Sequence, residues 1–484
     1  MSSKSIRKNA VLNIIRVLAS VVFPLITFPY AARILGADNL GKVQFSGSVV
    51  TYFSLVAALG VAVYGIREGA RVRKDPEKFN KFASEVFSIN MIATVLSYVA
   101  LFVVLLLPTK LANYEELIWI QSIAIIFTTL GVDWIYSAQE DFLYITIKSV
   151  MVQLIALVLL FVFVKSEGDY VAYAFVTVIA SVSMNIFNFF HVRKYCRLKL
   201  TRHLNLRRHL GPLLVLFANE LAIKIYINSD VFMLGLMSSD YAVGIYEVAV
   251  KVYTIAKRLV NAYIAVTIPQ LAISVEEKQK EKYFNLSGRV LKTTVVLILP
   301  LIVGLIMVSK ETVQLIGGEG FMDAVPSLSI LAVALLFAVL ANYFATAVLV
   351  VNRKEKTVLV ATIVAAVVNV GLNLILIPIW NQEGAAITTV VAEFIVMMIC
   401  AWKGRGLYSI KGMTKNVLQV LAGCVAIVII CLVVKSFGLH YVASLGVSIV
   451  VSGLAYIGIL IRLKNDFMVS LVADIRKKFS RKNP

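Results

Sequence analysis

Long apolar segments divide almost the whole chain, and each is about as long as the 20 residues that a helix needs to cross the hydrocarbon core of a bilayer. The chain is 60% hydrophobic and 15% charged, whereas soluble domains are about 45–50% apolar and about 25% charged. Inside hydrocarbon the backbone must satisfy its hydrogen bonds within the segment, which favours helices. We therefore predict an all-α integral membrane protein with about fourteen spans: residues 10–31, 43–64, 82–107, 114–138, 142–164, 169–190, 212–237, 241–268, 286–308, 324–351, 356–379, 384–402, 415–435 and 440–461.

Lysine and arginine alternate between the two sets of connecting loops. About 35 of the 47 lie on the side that carries both termini, about six lie on the other side, and about six lie within spans. Because cytoplasmic loops are enriched in these residues, the bias predicts a multi-pass protein with both termini in the cytoplasm. The net charge of +20 therefore indicates orientation and contact with anionic lipids at cytoplasmic loops, above all residues 191–210, and does not indicate nucleic-acid binding.

The chain resembles itself at an offset of roughly 200 residues. Residues 33–45 (RILGADNLGKVQF) follow span 1 much as residues 232–246 (FMLGLMSSDYAVGIY) follow span 7, and we expect an exterior turn at 36–43. Parallel repeats are typical of transporters. We predict two six-helix bundles related by a pseudo-twofold axis along the membrane normal, plus two extra helices. The expected domains are a lobe with its basic cytoplasmic loop at 1–211, a second lobe at 212–411, and two further spans with a cytoplasmic amphipathic tail at 412–484.

Charged side chains occur inside several spans, although each costs about 2.5–3.5 kcal/mol at the bilayer centre on insertion scales. Arg16 has no acid within one helical turn, and Pro24 and Pro29 can bend its helix. Spans 1 and 7 occupy equivalent places in the two repeats, as do spans 2 and 8, so the cations should converge on one central cavity. The predicted cavity cations are Arg16, Lys224, Lys251, Lys257 and Arg258, with polar support from Asn13, Gln44, Tyr52, Asn219, Tyr246 and Asn261.

Such a cavity would repel a small cation and attract a phosphate or pyrophosphate. The lysines of two pairs, Glu220–Lys224 and Glu247–Lys251, have an alternative role as structural bridges. Both pairs have the favourable Glu-first i, i+4 order, so each can neutralise itself. Asp133 and Lys148 are also expected to pair, whereas Glu393 is a lone acid. The acids considered for proton or sodium coupling are Glu220, Asp230, Glu247 and Glu393.

Nothing in the sequence has the pattern of an enzyme active site. The four cysteines show no CxxC pairing and no zinc spacing, and three of the four histidines crowd one basic loop. No nucleophile–His–acid set is visible. We therefore predict no catalytic residue, no metal and no cofactor, and we interpret the cysteines as apolar or loop residues.

Four stretches resemble the polysaccharide biosynthesis flippases, the Wzx-type O-antigen and capsule repeat-unit transporters of the superfamily that also contains multidrug antiporters. They are PYAARILGADNLGKV (29–43), INSDVFMLGLMSSDYAVGIYEVAVKVY (227–253), LVVNRKEKTVLVATIVAAVVNVGLNLILIP (349–378) and EGAAITTVVAE (383–393). The resemblance implies a two-lobed fold in the bacterial inner membrane that flips undecaprenyl-pyrophosphate-linked oligosaccharide outward by alternating access. It also implies coupling to proton or sodium entry, cationic cavity roles for Arg16, Lys224 and Lys251, and contact with other polysaccharide assembly proteins. The alternatives are a cation-coupled multidrug antiporter and a membrane-embedded polymerase or ligase.

Overall fold

The structure, a computed structural model, describes residues 3–469, with the side chains of residues 22–141, 144, 147–183 and 185–469. These residues form helices joined by short loops, without a β-strand in the described range. The longer helices are α1 (Ser3–Ala58), α2 (Val61–Val72), α3 (Pro76–Leu106), α4 (Glu115–Gly131), α5 (Asp133–Ala138), α6 (Phe142–Phe163), α7 (Tyr170–His191), α8 (Leu206–Met237), α9 (Asp240–Glu276), α10 (Lys280–Met307), α11 (Ser309–Ile316), α12 (Ala324–Asn342), α13 (Glu355–Lys403), α14 (Met413–Ser436) and α15 (Tyr441–Arg462).

Eleven stretches of the described chain are long and apolar enough to cross a membrane. Two of them contain helices broken at one non-helical residue, Gly36 in α1 and Asn381 in α13, and each break separates two of the predicted spans. Helix α6 supplies one more apolar segment, of which 147–163 qualifies by composition. The predicted all-helical, multi-pass membrane fold is therefore confirmed, with about fourteen spanning segments.

The expected turn at 36–43 is wrong in its extent. Only Gly36 leaves helical geometry, with φ 71° and ψ 173°, and the helix resumes at Ala37. Positive φ is accessible to glycine at little cost because it has no Cβ. The chain therefore changes direction at one residue, where the sequence suggested a turn of eight. The predicted amphipathic tail begins at Phe467, and its part beyond residue 469 lies outside the described residues.

Contacts divide the chain into two compact units, Met1–Gly244 and Ile245–Pro484. In the first unit, α1 contacts α3, α4, α6, α7 and α8, and α4 packs along α7. Helix α2 contacts α3, α5 and α8, and these helices enclose an aromatic core that contains Tyr64, Phe82, Trp134 and Tyr136. Large apolar side chains elsewhere in the unit are exposed, as a lipid-facing surface requires.

In the second unit, α12 packs along α13, and α10 contacts α12 and α14. The last two helices, α14 and α15, pack against each other, and the Tyr456 hydroxyl of α15 donates to the Val296 carbonyl of α10 at 2.7 Å. The core between these helices includes Cys424 and Cys431. All four cysteines of the chain are buried free thiols, as expected for apolar positions.

The two repeat motifs touch each other through a pair of glycines, and all the residues involved lie in the first unit. A Cβ added to Gly41 would lie 1.8 Å from the main-chain oxygen of Asp240, and a Cβ added to Gly244 would lie 2.0 Å from that of Ala37. Each glycine thus faces the residue four positions before the other glycine. This reciprocal contact is the pattern that a two-fold relation produces at an interface. It explains why both motifs contain a glycine at this place.

Candidate functional site

Two predicted site residues, Asn13 and Arg16, have side chains outside the described set. Their helix α1 contains Pro24 and Pro29 and remains helical through both, so neither proline ends it. The roles assigned to Asn13 and Arg16 stay predictions.

Helix α8 carries four predicted residues of the first unit. Lys224 is exposed, Asn219 and Glu220 are partly buried, and Asp230 is buried with 6% exposure. Glu220 and Lys224 are not joined by any of the salt bridges found between described side chains. A direct bridge from Lys224 to Glu220 is therefore not formed among the described side chains, although the two charges are near enough to interact, and Lys224 is exposed.

Two further predicted residues lie on α1 after its break. The ring of Tyr52 packs edge-on against Phe232 of α8, with 5.1 Å between the centroids. Gln44 lines a small pocket within the first unit. Tyr52 therefore contacts α8, whereas Gln44 faces α4 and α7.

Helix α9 places Glu247 and Lys251 in the i, i+4 bridge that the sequence left open. The Lys251 ammonium lies 3.5 Å from Glu247 Oε1, and the lysine side chain is 30% exposed whereas the glutamate side chain is 12% exposed. The pair neutralises the more buried acid. The contact is long, and almost a third of the Lys251 side chain stays exposed.

Glu393 was expected to be a lone acid, and this expectation is wrong. Its Oε1 lies 2.5 Å from the Lys257 ammonium and also accepts a 2.9 Å hydrogen bond from the Tyr253 hydroxyl. The Glu393 side chain is 7% exposed and that of Lys257 is 28% exposed. Lys257 therefore neutralises a buried carboxylate on α13, whereas the adjacent Arg258 is exposed.

The other two predicted polar residues of α9 make specific contacts with neighbouring helices. The buried Tyr246 hydroxyl lies 3.2 Å from the Thr389 hydroxyl of α13. Asn261 accepts a 3.0 Å hydrogen bond from Asn342 at the end of α12. Both side chains therefore connect helices within the second unit.

A buried amide cluster, which was not predicted from the sequence, spans the break in α13. Thr388 donates to Asn373 at 2.6 Å, and Asn373 donates to Asn369 at 3.2 Å. Thr388 follows Asn381, where φ is 44° and ψ is −124°, whereas both asparagines precede it. The i, i+4 spacing of two asparagines in an apolar helix was the available signal, since buried amides require partners.

The expected pair of Asp133 and Lys148 is formed only through a third residue. Lys148 donates to the amide oxygen of Asn188, whose amide nitrogen donates to Asp133. The Lys148 ammonium also lies 4.4 Å from the centre of the Tyr144 ring. Asn188 thus links α5, α6 and α7.

A second missed group is a buried triad that holds the start of α8. His209 is fully buried, with Nε2 2.8 Å from Glu85 of α3 and Nδ1 2.7 Å from the Tyr64 hydroxyl of α2. The sequence feature that could have indicated this triad is Glu85, an acid at the end of an apolar span, because such an acid requires a partner. Both ring nitrogens are occupied, so the triad connects α2, α3 and α8.

The described residues contain no group of three or more His, Cys, Asp or Glu side chains that could hold a metal ion. What they contain instead is a set of lysines and acids, partly paired, within the spans of two helical units. The fold and these groups define the chain as a multi-pass membrane protein with ionisable groups inside the bilayer, which are expensive there and typical of transport sites.

The chain belongs to the polysaccharide biosynthesis protein family, whose sequence profile matches residues 6–274. A protein of Escherichia coli (strain K12) with the provisional name O-antigen transporter is 22% identical over 400 residues, which cover 81% of this chain and 95% of that protein. A protein of Shigella dysenteriae with the same provisional name is 26% identical over 268 residues, 55% of this chain and 67% of that one.

Solved transporter structures share the fold. The lipid II flippase MurJ in an inward closed conformation superposes with a TM-score of 0.74 at 17% identity, covering 96% of this chain and 100% of that chain. An inward-facing multidrug resistance MATE family transporter of the MOP superfamily gives a TM-score of 0.62 at 15% identity, covering 81% and 97%. At these identities the likeness establishes the fold.

Proposed function

We propose that this protein is a flippase that transfers lipid-linked oligosaccharide repeat units from the cytoplasmic to the outer leaflet for surface polysaccharide assembly. Its carrier lipid would be undecaprenyl pyrophosphate, and the transfer would proceed by alternating access. The protein would reside in a bacterial inner membrane with both termini in the cytoplasm, as its lysine and arginine distribution predicts.

The observation that carries this proposal is an exposed lysine inside a predicted span, Lys224, which forms no salt bridge with a described side chain, in a chain of the polysaccharide biosynthesis family. An exposed ammonium group at membrane depth is costly unless it meets an anion or water. A pyrophosphate-linked lipid presents such an anion at the boundary of the hydrocarbon. Arg16 and Lys251 are the other cations to which we assign contact with the pyrophosphate.

The pairing of the acids favours a flippase for an anion over a cation-coupled drug antiporter. Glu247 and Glu393, two acids considered for ion coupling, each face a lysine. A site for a cationic drug would be expected to hold unpaired carboxylates. The membership of the family also supports transport over a polymerase or ligase reaction, and the names of the two relatives above agree with it.

The remaining partners follow from charge and fold. We propose that a proton or sodium gradient drives the transfer and that anionic lipids bind the basic loop 191–210. Other polysaccharide assembly proteins would receive the product at the outer face.

The test is reconstitution into liposomes with labelled undecaprenyl-pyrophosphate-linked oligosaccharide, measuring its exposure in the far leaflet with and without an imposed proton or sodium gradient. Lys224→Gln should slow transfer about tenfold or more, because a charge-assisted hydrogen bond is worth about 1.5–3 kcal/mol. Lys224→Arg should retain most of the transfer, and Arg16→Ala should abolish it. Lys165→Gln, an exposed loop lysine, is the control. Wild-type transfer no faster than protein-free liposomes would refute the function.

A further inference from the structure

A polar pocket of about 220 Å³ lies among α1, α4 and α7 of the first unit. Gln44, Gln121 and Thr177 lie six or seven residues after the starts of their helical segments at 37, 115 and 170, or about 10 Å along each helix. Those starts are the predicted outer ends. The pocket therefore begins about 10 Å from the predicted outer ends and extends deeper along α1 to Thr51 and Ser54. Its polar lining residues are Gln44, Thr51, Ser54, Gln121, Thr177 and Ser181.

Three hydroxyl groups that line the pocket can still accept hydrogen bonds. The hydroxyls of Thr51, Thr177 and Ser181 each donate to a carbonyl of their own helix, at 2.7–2.9 Å. A hydroxyl that donates in this way keeps acceptor lone pairs for another partner. Three hydroxyls on two helices are thus arranged to accept hydrogen bonds.

Gln121 has the buried polar atom that most favours a ligand here. It is 6% exposed, and its amide nitrogen donates to the Val43 carbonyl at 3.0 Å, but its Oε1 has no hydrogen-bond partner among the described residues. A buried polar atom without a partner costs about 1–3 kcal/mol, so such atoms usually have a ligand or an ordered water. A Cβ on Gly47 would lie 3.1 Å from this oxygen, so the glycine leaves room in front of it.

The lining residues, all of which are described, carry no charge. A phosphate would find no cation here, and a cation would find no carboxylate. At about 30 Å³ of liquid volume per water, the empty space exceeds that of a single desolvated ion many times over. The suitable ligand is neutral, rich in hydroxyl donors and about the size of one or two small rings.

We propose that this pocket holds a sugar ring of the transported lipid-linked oligosaccharide, with Gln121 Oε1, Thr51 and Ser181 accepting hydrogen bonds from its hydroxyls. The proposal rests on the flippase function and adds the place where the sugar is recognised. It assigns the sugar to an uncharged pocket of the first unit, apart from the cations that would hold the pyrophosphate.

The test compares binding of two probes to the full-length protein in lipid nanodiscs: polyprenyl pyrophosphate bearing one hexose, and bare polyprenyl pyrophosphate. Thr51→Val and Gln121→Leu should each weaken binding of the hexose-bearing lipid about three- to tenfold, the effect of one neutral hydrogen bond, and leave bare lipid unchanged. The control is Thr128→Val on α4. Its hydroxyl also donates to its own helix, at 2.7 Å to Ala124, but its side chain is exposed outside the pocket.

Thr51→Val keeps the volume of the side chain and removes no bond between helices, so it tests the proposal even where Gln121→Leu fails to fold. Equal weakening for both probes, or no weakening for either, would overturn the sugar assignment. If the variants weaken binding in sodium buffer but not in choline buffer, the pocket is an ion site, and this result would also overturn the sugar assignment. Leaflet transfer measured in parallel tests the flippase function separately, because a selective binding loss supports the pocket whether or not transfer is seen.

Discussion

Gly41 and Gly244 allow the closest approach between the two repeat motifs, and an alanine at either position should separate them. The added Cβ would lie 1.8 Å from Asp240 O in the first case and 2.0 Å from Ala37 O in the second. Both obstacles are main-chain atoms, so no side chain can rotate away. Since such contacts are tight below about 3.4 Å, the chain segments must move apart by about 1.5 Å, and overpacking of this kind costs about 1–3 kcal/mol.

Thermal unfolding of the purified protein in detergent measures this effect. Gly41→Ala and Gly244→Ala should each lower the midpoint, whereas Gly453→Ala in α15, where a Cβ would meet nothing within 4 Å, should leave it unchanged or raise it slightly. The double variant should lose less than the sum of the single losses, because one displacement relieves both clashes. If Gly41→Ala unfolds at the wild-type midpoint, or the two losses add fully, the reciprocal contact is wrong.

Three other predictions concern buried groups. Lys257→Met should destabilise the protein more than Glu393→Gln, because it leaves the buried Glu393 carboxylate unpaired, whereas Glu393→Gln leaves a lysine that can reach water. Equal unfolding midpoints for the two variants would argue against this pair. His209→Phe should cost about 3–5 kcal/mol in chemical unfolding by leaving Glu85 buried without its partner, and Glu85→Gln in the same background should recover part of the loss, which an exposed Glu85 would not show. Burial raises the pKa of the Cys196 thiol to about 12, so folded protein at pH 8 should resist maleimide at this position; rapid labelling, followed by mass spectrometry, would contradict its burial.

The sequence was sufficient for the spans because hydrocarbon imposes both their length and their helicity. It also marked most of the charged positions, since a charge within an apolar run stands out. It did not identify the partner of Glu393, because Lys257 is 136 residues away and the contact depends on how α9 and α13 are rotated. Helix α13 has apolar residues on all faces, so its pattern gives no preferred orientation.

The lipid-linked oligosaccharide that we propose as substrate has two chemically different parts, and the described side chains suit them separately. A pyrophosphate requires cations, and Lys224 is exposed and Lys251 partly exposed on their helices. A sugar requires neutral hydrogen-bonding groups, and the pocket at Gln121 supplies acceptors without charge. A lysine variant should therefore weaken binding of both the bare and the hexose-bearing lipid, whereas a pocket variant should weaken only the second. This difference between the two sets of variants separates recognition of the carrier from recognition of its cargo.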